Sequence, residues 1–169
     1  KKMNKQLMTY IGLLPIFVLI QVLILNEILF FSYINPYLYL FLIINFPING
    51  SKWFLLIYAF ALGLLIDLFS GTLGFHSTAT VMIAFIRKYI SKITIPHNII
   101  GDNEKITLDK IGNKSFITFS LLIIFLHHTC LFLLEHLNFN VKILGKILAS
   151  SCITLILILI LDIFNSNKK

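Results

Sequence analysis

Apolar runs separated by a few polar or turn-forming positions set the layout of this chain. No charge occurs between Lys5 and Glu27. The run over residues 7–25 matches the 20 or so apolar residues that a membrane helix needs. A second uncharged stretch, residues 28–51, is interrupted by Pro36 and Pro47. Asn35-Pro36 predicts an N-cap followed by proline at the first helical position. We place this span at 33–46; its helical part, 36–46, would measure only about 16 Å. Further spans are expected at 53–69, 75–93, 116–137 and 141–164. The one sizeable connector is 92–115, where Pro96, Gly101, Asp102, Asn103 and Glu104 mark turns. Ile106, Leu108 and Ile111 within it suggest a short strand or an interfacial turn.

Composition turns this pattern into a fold class. Of 169 residues, 58% are hydrophobic and 12% charged. A soluble domain of this length cannot bury that much apolar surface, so the membrane is the natural solvent. The expected fold is all-α: a single polytopic membrane domain, residues 1–169, with six transmembrane helices. Basic residues outnumber acidic ones by 14 to 7, which reads first as a topology signal. If the second stretch crosses and the amino terminus is inside, Lys1, Lys2, Lys5, Lys52, the 87–114 cluster, Lys168 and Lys169 are all cytoplasmic. The outer connections near 26–34 and 70–74 carry no Lys or Arg, and only Lys142 and Lys146 depart from the rule. A second stretch that failed to cross would put the 87–114 cluster outside, against the bias. Both termini and the 92–115 loop are therefore expected in the cytoplasm.

Charge also excludes function classes. No Lys/Arg run alternates with aromatics as a nucleic-acid surface would, so no nucleic-acid partner is expected. The basic start and first apolar run resemble a signal peptide, but Leu25-Asn26-Glu27 stands where a small-x-small cleavage site belongs. Cys130 and Cys152 lie in apolar runs and read as small core residues rather than a disulfide.

Asp67 is the first candidate for chemistry. Trp53 is expected at the inner interface, and Asp67 lies fourteen residues further on, about 21 Å along a helix. That leaves the carboxylate below the outer surface of a hydrocarbon core about 30 Å thick. Ala59, Gly63 and Asp67 fall at i, i+4 and i+8, on one face whose small residues admit another helix. Ser70, Gly71 and Gly74 then turn the chain into the fourth span. The start of that span exposes free N–H groups with positive dipole character. Asp67 is expected to accept from them and tie down the turn, with His76 as a second partner. A proton-relay or substrate role is the sharper alternative for an intramembrane carboxylate.

The remaining polar groups suggest less. His127 and His128 are adjacent, so they point about 100° apart and do not easily share a metal. A hydrogen bond from this pair to Glu135, with His136 beside it, is the expected use. Ser70, Ser77 and His76 lack an oxyanion motif or a second base for hydrolysis. Gly71-x-x-Gly74 is too short for a phosphate loop. Arg87, Lys88 and Lys92 read as a snorkelling anchor to acidic headgroups, or as a contact for a cytoplasmic partner.

With these residues in place, the chain resembles the MreD family of rod shape-determining proteins. The resemblance rests on six spans, on Gly63-x-x-x-Asp67 followed by Ser70-Gly71-x-Leu73-Gly74-Phe75-His76, and more weakly on His127-His128-x-x-Leu131-Phe132-x-Leu134-Glu135. Its layout covers the whole chain; its specific motif covers only residues 63–76. Many members carry a proline before the Leu-Gly of the turn. Thr72 stands there here, which implies a less rigid corner. The resemblance implies a non-enzymatic subunit of the cell-elongation machinery in the bacterial inner membrane, with no cofactor and no metal. The implied partner is the single-span protein MreC, and through it an actin-like filament inside and cell-wall synthases outside. The family is similar in layout to the substrate-binding subunits of energy-coupling-factor transporters. A vitamin-binding subunit is therefore the alternative, with Thr72, His76, Thr80, Glu135 and His136 available to line a pocket.

Overall fold

Four of the apolar runs form helices long and apolar enough to cross a membrane: Leu7–Leu25, Lys52–Ser70, Asn113–His136 and Val141–Asn165. The computed structural model describes residues 2–27, 34–72, 74–96, 99, 104–136 and 140–166. Leu73 of the corner, residues 28–33, residues 101–103 of the connector, Leu137 at the end of the fifth span, Lys1, Lys168 and Lys169 lie outside the described residues. The elements are α1 (Lys2–Ile20), a π-helical turn (Gln21–Leu25), α2 (Leu40–Ile44), α3 (Lys52–Ser70), α4 (Phe75–Thr94), α5 (Leu108–Ile111), α6 (Asn113–His136) and α7 (Val141–Ser166). Among the described residues there is no strand, so Ile106, Leu108 and Ile111 serve a helical turn instead.

α3 packs along α4, α4 along α6, and α6 along α7. Local chemistry sets the ends of the α3–α4 hairpin. The Ser51 hydroxyl accepts from the Phe54 N–H and caps α3. Gly71, in the left-handed region at φ 67°, ends it. Gly74, at φ 84°, opens α4, which runs its full 20 residues. α4 is not among the four candidate crossing helices; Arg87, Lys88 and Lys92 all fall in its second half.

The second stretch departs most from expectation. The helix expected over 36–46 shrinks to the five residues Leu40–Ile44, and Asn35 does not cap it. Its backbone donors are claimed by other helices. Asn35 N–H donates to Ser150 Oγ at 3.1 Å, and Tyr37 N–H to Thr154 Oγ1 at 3.1 Å, both on α7. Leu38 N–H donates to Gln21 Oε1 at 2.9 Å. Tertiary hydrogen bonds thus override the local Asn-Pro signal. Because Asn35 meets Ser150 and Asn45 meets Asp162, the segment runs parallel to α7 over about 18 Å. Tyr37, Tyr39, Leu40, Leu42, Ile43, Ile44 and Phe46 are all buried, so this irregular backbone occupies the centre of the bundle.

Candidate functional site

The corner between α3 and α4 is built around Asp67. One carboxylate oxygen accepts from the His76 N–H at 3.0 Å and from the Thr72 hydroxyl. The other accepts from the Ser77 N–H at 2.9 Å. Thr72 and Gly71 also donate their N–H groups to the Asp67 carbonyl. The Ser77 and Thr78 hydroxyls donate to the Gly74 carbonyl. Asp67 therefore satisfies the free donors at the start of α4 and is itself buried. His76 is a partner of Asp67 through its backbone N–H, while its imidazole turns to Tyr39.

The small face of α3 meets α4 of the same chain. A Cβ at Gly63 would lie 2.4 Å from Ser77 Cα and 2.6 Å from Ser77 N, so only glycine allows this approach. Thr80 Oγ1 sits 2.9 Å from the Ala59 carbonyl across the same seam. Ser70 is exposed at the end of α3, and its hydroxyl accepts from the Asn26 side-chain amide at 3.0 Å. Gly63, Asp67, Ser70, Gly71, Gly74 and His76 thus lie at one end of the hairpin, and Ala59 lies further along the same α3–α4 seam.

The next layer joins His76 to α6. The Tyr39 hydroxyl lies 3.0 Å from His76 Nδ1 and 3.0 Å from His127 Nε2. His128 Nδ1 lies 2.8 Å from the Ile124 carbonyl, so that nitrogen carries the proton. Its Nε2 faces Thr154 Oγ1 at 3.4 Å. His127 Nδ1 is buried without a partner. A bare lone pair costs less there than an orphaned N–H, which favours His127 Nε2–H donating to Tyr39 and Tyr39 donating to His76. The Tyr37 ring packs on all three imidazoles, with centroids 5.0–5.6 Å away. The expected bond from this pair to Glu135 is not formed; Glu135, half-buried, lies in the field of Lys146 and His136. Of the polar groups that might line a ligand pocket, Thr72, His76 and Thr80 are engaged inside the protein. Among the described residues, no three His, Cys, Asp or Glu side chains are placed to hold a metal. Cys130 and Cys152 are both free thiols, and Cys152 is exposed rather than in the core.

A second polar layer lies eleven residues along α4, about 16 Å from the first. Arg87 is buried, which corrects its reading as a snorkelling anchor; Lys88 and Lys92 remain exposed. Its Nη2 donates to the carbonyls of Ile44 and Phe46, at the end of α2. The guanidinium also stands 5.7 Å from the Phe119 ring. The Tyr10 hydroxyl donates to the Asn45 carbonyl at 2.9 Å. Asp162 on α7 accepts from the Asn45 amide at 2.7 Å and from the Leu108 N–H at 2.7 Å.

Sequence reasoning missed Gln21, Tyr39, Asn45, Thr154 and Asp162. For Asp162 the signal was present, since it is a lone carboxylate in an apolar run, as Asp67 is. Gln21 sits where α1 widens into a π-helical turn, and its amide also donates to the Pro36 carbonyl at 3.0 Å. No family model, no characterised protein and no solved structure matches this chain.

Proposed function

We propose that this protein is a non-enzymatic scaffold of the bacterial cell-elongation machinery, of the MreD kind. In this reading it crosses the inner membrane six times, with both termini in the cytoplasm. α1, the 34–46 segment, α3, α4, α6 and α7 make the crossings. It holds the transmembrane helix of a single-span, MreC-like partner and passes position between filament and wall synthases. One observation carries the reading. The described residues of the family-like motif, among them Gly63, Asp67, Gly71, Gly74 and His76, form one tight construction in which Asp67 caps α4 and Gly63 admits it. Tyr39, Asn45, Arg87, His127 and Asp162 also make internal hydrogen bonds, which suits a rigid platform better than a reaction centre.

The experiment is expression in a rod-shaped bacterium depleted of its own MreD, with affinity purification from the same cells. Restored rod shape and a co-purifying single-span protein are the expected outcome. A bound vitamin together with transporter ATPases, and no rescue of shape, would replace the scaffold with a transport subunit.

A further inference from the structure

At the basic end of the α3–α4 hairpin, a cavity of about 460 Å³ opens between the 46–50 turn, the start of α3 and the end of α4. Its rim carries Lys52, Lys88 and Lys92, all exposed. Among the described residues no carboxylate pairs with any of the three. A recess of about 130 Å³ continues the cavity past Lys88 and Lys92 to Ser91. Arg87 lines the same cavity from inside the protein, where its Nε is buried with no hydrogen-bond partner. Trp53 and Tyr89 flank the opening, 68% and 61% exposed, as aromatic side chains do at a membrane–water boundary.

The cavity does not end at the boundary. Through Leu56 and Phe85 it meets an apolar groove of about 570 Å³ that climbs between α3 and α4 past Val81 to Thr78. From Lys88 to Thr78 is ten residues of α4, about 15 Å, or one leaflet of a hydrocarbon core about 30 Å thick. Cationic groups at one end and a leaflet-deep apolar groove at the other match one class of ligand. We propose that cavity and groove form a single site for an anionic phospholipid. The phosphate sits among Lys52, Lys88 and Lys92, and one acyl chain lies along the groove. A soluble phosphate would use only the lysines, and a zwitterionic lipid would gain little from them. The proposal requires only that the chain spans a membrane, and it stands apart from the elongation reading.

Trp53 is the only tryptophan in the chain and lines the cavity, so it reports on occupancy. The purified full chain in dodecyl maltoside is titrated with phosphatidylglycerol bearing dibrominated acyl chains, which quench indole on contact. Saturable quenching is expected, with phosphatidylcholine of the same chains at least tenfold weaker. Replacing Lys88→Gln and Lys92→Gln together should weaken phosphatidylglycerol by about thirtyfold, the effect of two lysines near an anionic headgroup. Val81→Phe, which fills the groove, should weaken it as well. Equal quenching by both lipids overturns the proposal. So does unchanged affinity in the lysine variant when its far-UV spectrum is native. Glycerol 3-phosphate displacing the lipid at matched concentration overturns it in favour of a soluble phosphate.

Discussion

Replacing Asp67 separates a cap from a relay. The carboxylate holds two buried backbone donors, His76 N–H on one oxygen and Ser77 N–H on the other, with the Thr72 hydroxyl as a third partner. Asp67→Leu orphans both N–H groups. At about 1–3 kcal/mol for each unsatisfied buried donor, the loss is about 2–6 kcal/mol, a large part of a typical domain's stability. Thr72 is only half-buried and can turn its hydroxyl elsewhere, so it adds little. Asp67→Asn keeps one acceptor oxygen. Whichever way the amide is set, its NH2 faces one of the two backbone donors, so one N–H is orphaned, at about 1–3 kcal/mol. The two-oxygen geometry thus makes asparagine a poorer substitute than a single-acceptor cap would.

The assay is unfolding in mixed dodecyl maltoside–SDS micelles, followed by far-UV circular dichroism and Trp53 fluorescence, beside rescue of rod shape. The expected order of stability is wild type, then Asn, then Leu, with rescue following folded yield. An Asp67→Leu protein within about 1 kcal/mol of wild type would refute the cap, since even one orphaned donor costs that much. A folded, partner-bound Asp67→Asn protein that restores no shape would move the carboxylate into a relay.

Three further outcomes are expected. Gly63→Ala puts a methyl group 2.4 Å from Ser77 Cα and should cost about 1–3 kcal/mol in the same assay, whereas Leu64→Ala on the exposed side of α3 should stay within about 0.5 kcal/mol. Arg87→Met should cost about 1–3 kcal/mol for each of the Ile44 and Phe46 carbonyls it abandons; Arg87→Lys should recover only part, because a single ammonium replaces the guanidinium fork, and full stability in either variant would show that the carbonyls find other donors. Ser51 and Ser70 lie at opposite ends of α3, about 28 Å apart; with Cys130 and Cys152 replaced by alanine, a membrane-impermeant thiol reagent on intact cells should label Ser70→Cys and spare Ser51→Cys, and the reverse pattern would invert the orientation.

The parts legible in sequence are those set by neighbours along the chain. A span expected at 53–69 is a helix over Lys52–Ser70 because Ser51 and Gly71 mark its ends chemically. Asp67 could be assigned its backbone partners because they lie nine and ten residues away, across one turn. The Tyr39 bridge joins residues 37 and 88 positions apart, and nothing local marks it. Arg87 misled for a related reason: next to Lys88 and near Lys92 it looks like one of a basic cluster, but it stands on the inward face of α4 with Ile83 and Ala84. The 34–46 segment was legible as interrupted and illegible as central, since Ser150, Thr154 and Gln21, which hold it open, come from other helices.

That segment explains why so greasy a chain keeps so many polar groups. A non-helical backbone inside a bilayer must be satisfied by protein, at several kcal/mol for each group left bare. Asn35, Tyr37 and Leu38 N–H are answered by hydroxyl and amide side chains on α7 and α1. The Pro36 carbonyl is answered by Gln21, and those of Ile44, Asn45 and Phe46 by Arg87 and Tyr10. These partners come from three different helices. The segment can therefore hold its course only when all three are docked, and each of those helices carries a polar side chain that loses its partner unless the segment is in place. The cost of intramembrane polarity thus becomes mutual dependence among the helices. A bundle built this way resists sliding of one helix past another, and that rigidity is what the proposed scaffold role would draw on.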